Sequence, residues 1–129
     1  MIVHIDTSAL IDALTGPRRS IGTLIRLTDE GHRLAVSTIV LYEWLRGPRT
    51  KADLDAQEAL LPSETAIAFG ATEAALAAQL YKQVARPRGR EVDLAIAASA
   101  VANGAAILTL NPADFRDVPG LKLVGARIE

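Results

Sequence analysis

Four acids, Asp6, Glu43, Asp93 and Asp114, stand where an α/β chain places reactive carboxylates. Asp6 directly follows residues 2–5, a short β-branched apolar run. Asn111 and Asp114 follow a second apolar run at 105–110. Glu43 lies about two turns past the helix cap offered by Ser37-Thr38. Asp93 lies in the first turn of the helix expected over 92–102. In an open parallel sheet, ligands bind beyond the carboxyl ends of the strands. All four acids converge on one such edge if the strands leading to Asp6 and Asp114 are neighbours. Carboxylates so crowded repel one another. They either take up protons or hold a divalent cation. An all-oxygen ligand set suits Mg²⁺, with Mn²⁺ as the alternative, rather than zinc. Such an ion activates water and offsets the charge that develops in phosphodiester cleavage.

Each acid also has a purely structural explanation. Asp6 is placed to cap the helix that follows it. Asp93 in a first helical turn is favoured by the helix dipole. Asp114, before Phe115, fits an ordinary turn. Glu43 is harder to explain this way. Its helical neighbours Ile39, Val40, Trp44 and Gly47 are apolar or small, so its carboxylate lies beside a buried face and needs a partner. Both histidines fit poorly as ligands. His4 is inside the first strand, His32 is in a turn, and they form no ligand pair.

The elements that must carry these acids follow from periodicity and punctuation. Helices are expected over 8–14, 20–30, from Ser37-Thr38 to Gly47-Pro48, and over 52–61, 72–85 and 92–102. Strands are expected over 2–5, 34–36, 65–69, 105–110 and 121–124. Several strands are unbroken apolar runs, as strands covered on both faces are. Their alternation with helices predicts an α/β fold: a three-layer α/β/α sandwich around a central, mostly parallel sheet of about five strands. Residues 1–129 form a single domain in this reading.

The chain has 129 residues, 50 % of them hydrophobic, and a formal charge of −1. It lacks cysteine, which excludes disulfides, thiolate metal sites and cysteine nucleophiles. It offers no apolar run fit to span a membrane and no signal-peptide pattern, so a cytoplasmic protein is expected. Near-neutral charge argues against a general nucleic-acid surface, but local patches matter more than totals. Eleven of the fourteen basic residues are arginine. Arg46 and Arg49 follow the Glu43 helix, and Arg88 and Arg90 precede Asp93. These four are candidates for holding phosphate; solvated loops are the plainer explanation. Aromatic residues make up 4 %, too few to stack several bases.

Four motifs in order resemble the PIN-domain ribonucleases, most closely the VapC-type toxins of toxin–antitoxin modules. They are Ile5-Asp6-Thr7-Ser8-Ala9-Leu10-Ile11, Leu41-Tyr42-Glu43-Trp44-Leu45-Arg46-Gly47, Asp93-Leu94-Ala95-Ile96-Ala97-Ala98-Ser99-Ala100 and Thr109-Leu110-Asn111-Pro112-Ala113-Asp114-Phe115. Pro119-Gly120-Leu121 fits the run into the last strand. Together the motifs span nearly the whole chain. The resemblance implies a PIN-like fold and an Mg²⁺-dependent endoribonuclease. Asp6, Glu43 and Asp93 would be the metal-binding acids and Asp114 the fourth, with Asn111 supporting and Ser8 lining the site. It implies in-line attack of water on RNA, with tRNA or rRNA as substrate. It further implies a homodimer and inhibition by a VapB-like antitoxin that lays a helix into a groove.

Two other classes compete. One is a PIN-like module that binds RNA or protein without cutting. The other is a phosphoaspartyl enzyme, which needs a second acid two residues after the first; that position here is Ser8. No phosphate-binding glycine loop is present.

Overall fold

The chain is described by a computed structural model over residues 1–125. Four strands, β1 (Ile2–Ile5), β2 (Arg33–Ala35), β3 (Ala106–Leu108) and β4 (Lys122–Val124), form one sheet in the order β2-β1-β3-β4. Every pairing is parallel. Among the described residues six α-helices flank it: α1 (Thr7–Leu14), α2 (Ile21–Asp29), α3 (Thr38–Arg46), α4 (Lys51–Leu60), α5 (Ala71–Gln83) and α6 (Glu91–Ala102). The parallel α/β architecture is the one expected.

The central strands explain their own composition. Val3 and Ile5 of β1 and all three residues of β3 are buried, so alternate side chains meet apolar layers on both faces. Trp44, Phe115, Leu10, Leu94 and Ile96 are the large side chains that fill those layers. Truncating Trp44 to Ala costs about 3–5 kcal/mol in a packed core. Helix α6 is buried at Leu94, Ile96, Ala97, Ala98, Ser99 and Ala100. A helix covered on nearly every side has no reason to be amphipathic, and its alanines let neighbours approach closely.

One expected strand is reduced to a single bridge. The third expected strand, over 65–69, survives only where Ile67 pairs in parallel with Ser37. The Ile67 amide donates to the Val36 carbonyl (2.8 Å), and the Ile67 carbonyl accepts from the Thr38 amide (2.9 Å). A 3-10 turn at Ser63–Thr65 takes up the start of the segment. At its end the Phe69 amide turns to the Thr38 hydroxyl. Four strands therefore make the sheet among the described residues.

Register sets the site. Ile5 pairs with Leu108, so Asp6 and Thr109 leave adjacent strands side by side. The Asp6 amide continues the ladder to the Leu108 carbonyl at 2.9 Å. From β1 the chain steps to β2 on one side and later returns to β3 on the other. That reversal opens a crevice at the carboxyl ends of β1 and β3. No helix among the described residues is long and apolar enough to cross a membrane.

Candidate active site

Asp6 is only 5 % exposed. Although it occupies the cap position of α1, its side chain makes no capping bond. Instead its Oδ2 accepts from Ser8 Oγ (2.9 Å) and Thr109 Oγ1 (2.7 Å). Each hydroxyl is oriented from behind. Ser8 Oγ accepts from the Leu110 amide (3.1 Å) and Thr109 Oγ1 from the Asn111 amide (3.0 Å). A hydroxyl that accepts from a backbone N–H must turn its own proton elsewhere, here to Asp6. Two relays thus end on one oxygen and hold the carboxylate in a fixed orientation.

Glu43 finds the partners its position demands. Its Oε1 accepts from Thr7 Oγ1 at 2.6 Å, and Arg46 Nη2 lies 3.6 Å from Oε2. Ser37 starts this helix by accepting from the Val40 amide, which places Glu43 on the turn facing α1. Asp93 is half-buried in the first turn of α6. Burial pushes its carboxyl up to about 6, and the charges of Asp6, Asp114 and Glu43 push in the same direction. Arg90 opposes them. One carboxyl feeling three others means that all four acids share one electrostatic field. Asp114 ends the 3-10 turn Pro112–Asp114 and is exposed, as is Asn111, which begins that turn.

The donor set is carboxylate and hydroxyl oxygen throughout, which fits a hard divalent cation. Burial first, and the neighbouring negative charges second, raise Asp93 to about 6, and it is the charge crowding that such a cation would relieve. As they stand, no three acidic or imidazole side chains among the described residues are gathered closely enough to grip an ion. His4 is not a contributor. It is 2 % exposed, burial lowers its pKa, and neither ring nitrogen has a hydrogen-bond partner.

The four candidate arginines divide. Arg46 is exposed and lies over the Tyr42 ring at 5.5 Å, beside Glu43. Arg88 is exposed. Arg49 instead stacks on Trp44 at 4.3 Å and donates to the Trp44 carbonyl at 2.8 Å. Gly47 permits this, since a Cβ there would stand 2.7 Å from Arg49 Nη2. Arg90 is bound to Asp117 and to the Asp114 carbonyl.

Thr7 and Thr109 were not among the expected site residues, yet both bond a site carboxylate. For Thr109 the signal was positional: it follows β3 as Asp6 follows β1, and only the register shows that they are neighbours.

A family model for the PIN domain matches residues 3–121. Among solved structures, a chain of the VapBC2 complex of Rickettsia felis bound to a promoter DNA fragment has a TM-score of 0.78 and 26 % identity, covering 97 % of this chain and 98 % of that one. VapBC from Salmonella typhimurium, bound to DNA, gives 0.76 and 20 %, over 98 % and 99 %. VapBC-1 from nontypeable Haemophilus influenzae gives 0.72 and 22 %, over 98 % of each chain. No curated protein sequence matches. With nearly its whole length matched by the family model and its acids at the sheet's carboxyl edge, the chain belongs to the PIN-domain family.

Proposed function

We propose that this PIN-domain protein is the toxin of a VapBC-type pair, a metal-dependent endoribonuclease that cleaves phosphodiester bonds in RNA, with tRNA or rRNA as its substrate class. The observation that carries the reading is the shared field of Asp6, Glu43, Asp93 and Asp114 at the carboxyl edge of β1 and β3. Mg²⁺, or Mn²⁺ in its place, is the cofactor this set of oxygens suits. When bound, it would supply an activated water and offset charge on the phosphate oxygens.

The chain's own residues have separable tasks in this reading. Asp6 is the fixed anchor, oriented by Ser8 and Thr109. Glu43 and Asp93 complete the central acids, and Asp114 adds the fourth, with Asn111 supporting its turn. Arg46 and Arg88 are exposed guanidinium groups suited to phosphates that flank the scissile bond. The whole length, 1–129, acts as one domain in the cytoplasm. Its partners are a second copy and a VapB-like antitoxin, a pairing supported by the VapBC complexes among its structural neighbours. Tyr42 and Leu45 are exposed and, with Leu41, line a groove of about 440 Å³ beside Arg46, a surface suited to a protein partner.

The test is cleavage of tRNA and rRNA by the purified protein with Mg²⁺ or Mn²⁺. We expect cutting that stops with chelator and falls to background in Asp6→Asn, with an unchanged circular dichroism spectrum. Cleavage by that variant at the wild-type rate would sink the assignment. A second reading, a PIN-like module that binds without cutting, draws on the acids not being gathered around an ion-sized space. It requires RNA or protein binding with no cleavage at any metal concentration.

A further inference from the structure

Arg90 looks from its sequence position like a phosphate contact, but its surroundings give it another task. Its guanidinium donates to both carboxylate oxygens of Asp117 (Nη1 to Oδ2, 2.9 Å; Nη2 to Oδ1, 2.7 Å) and to the backbone carbonyl of Asp114 (2.9 Å). Three of its donors are therefore committed, and the side chain has limited exposure at 20 %. A bidentate Arg–carboxylate pair is a directional join, not a loose point contact.

The two ends of this join are themselves fixed. On one side, the Arg90 amide donates to the Pro87 carbonyl, closing a turn in which Gly89 has φ +86°. That left-handed value is open to glycine and strained for other residues. The Arg90 carbonyl accepts from the Leu94 amide, so its backbone belongs to the first turn of α6, which carries Asp93. On the other side, the segment after β3 folds through successive tight turns. The Asp114 amide donates to the Asn111 carbonyl, Phe115 to Pro112, and Val118 to Phe115. Phe115 and Val118 are buried and pin that segment to the core. Between the two lies a gap in sequence of 24 to 27 residues, bridged by one side chain.

We propose that Arg90 is a positioning residue that straps the Asp114 turn to the start of α6 and so sets the spacing between Asp93 and Asp114. The proposal rests on the reading of these acids as metal ligands, but the strap itself does not need the metal.

Electrostatics and geometry make opposite forecasts, which gives a clean test. Arg90 is a positive charge felt by Asp93 and Asp114. If charge alone mattered, removing it would tighten binding of a divalent cation. If the strap matters, removing it loosens the ligand set, and supporting residues of this kind cost about tenfold or more in metal affinity. The experiment is Mn²⁺ titration by calorimetry of the full chain, with Arg90→Ala, Arg90→Lys, Asp117→Ala and the double alanine variant. We expect Arg90→Ala and Asp117→Ala each to weaken Mn²⁺ about tenfold, and the pair to cost no more than either alone. Lysine keeps the charge but not the fork, so it should recover only part of the affinity. Unchanged or tighter Mn²⁺ binding by Arg90→Ala overturns the proposal. So does a variant whose defect is confined to RNA affinity and its salt dependence, which is the signature of a phosphate contact. Amide hydrogen exchange on metal-free protein supplies the second arm. Faster exchange over 112–118 in Arg90→Ala supports the strap; unchanged exchange there refutes it. If the wild type binds no Mn²⁺ and Asp6→Asn behaves identically, the metal reading fails, and the exchange result still decides the strap.

Discussion

Asp6 and Asp114 face the same field from opposite kinds of structure. Asp6 grows directly out of the central strand, is 5 % exposed, and has one oxygen held by two oriented hydroxyls. Asp114 sits on an exposed single turn, joined to the rest through its backbone carbonyl and Arg90. The first is built into the sheet; the second is held against it. A buried carboxylate must have its partners in place at all times, because burial without them is costly. An exposed one keeps water as an alternative partner and is free to adjust. The site thus combines an anchor fixed by the sheet with an exposed rim tied to the start of α6 through Arg90.

The sharpest way to break this contrast is at Thr109. Thr109→Val keeps the shape but removes the donor to Asp6 Oδ2. A buried acceptor losing its donor costs about 1–3 kcal/mol of stability, read as a lower urea midpoint. Metal affinity should fall about 10–100-fold, with Thr109→Ser restoring most of it. Asp114→Asn should lose less than Thr109→Val but no less than Arg90→Ala, about tenfold in Mn²⁺ affinity with no loss of stability, because solvent screens an exposed charge. If calorimetry reverses that order, the anchor and the rim have been assigned the wrong way round.

The smallest effect is expected at Asp93, and its sign is informative. Its folded carboxyl is raised from the ordinary 3.8 to about 6. Between those values the folded protein holds a proton that the unfolded chain has released. Stability therefore falls as pH rises from about 4 to about 6 and stays at the lower level at neutral pH without metal. Asp93→Asn removes that penalty. Discounted for partial exposure it is of order 1 kcal/mol, so thermal melts of metal-free protein at pH 7 should show a Tm gain of about 3–5 °C. At pH values below about 4 the ionisation difference vanishes. A gain of equal size at low pH would assign the effect to packing instead.

Much of this was legible in the residues. The run Ile2–Ile5 and the buried helix carrying Asp93 announced themselves by unbroken apolar character and by clear stops at Asp6 and Asn103-Gly104. The four acids were singled out because parallel sheets place ligands at one edge. What escaped was pairing across long separations. Thr109 lies 103 residues from the oxygen it serves, and Asp117 lies 27 from Arg90. Neither has a local periodicity that points to its partner. The segment 65–69 misled for a different reason. Its composition suits a strand, but the flanking 3-10 turn and the Thr38 hydroxyl take the positions that a ladder would need. Arg49 and Arg90 read as free cations, because sequence shows a charge and not the groups that claim it.

The pairing of β1 with β3 also orders events in time. Asp6 is made before Thr109, which follows it by 103 residues, and before Asp114. A nascent chain therefore carries its anchor acid over that stretch of synthesis without the Thr109 hydroxyl, without the Leu110 amide that orients Ser8, and without the rim. Closing so long a loop is slow and comes late. The anchor acid and its oriented hydroxyls come together only once the chain through β3 has been made.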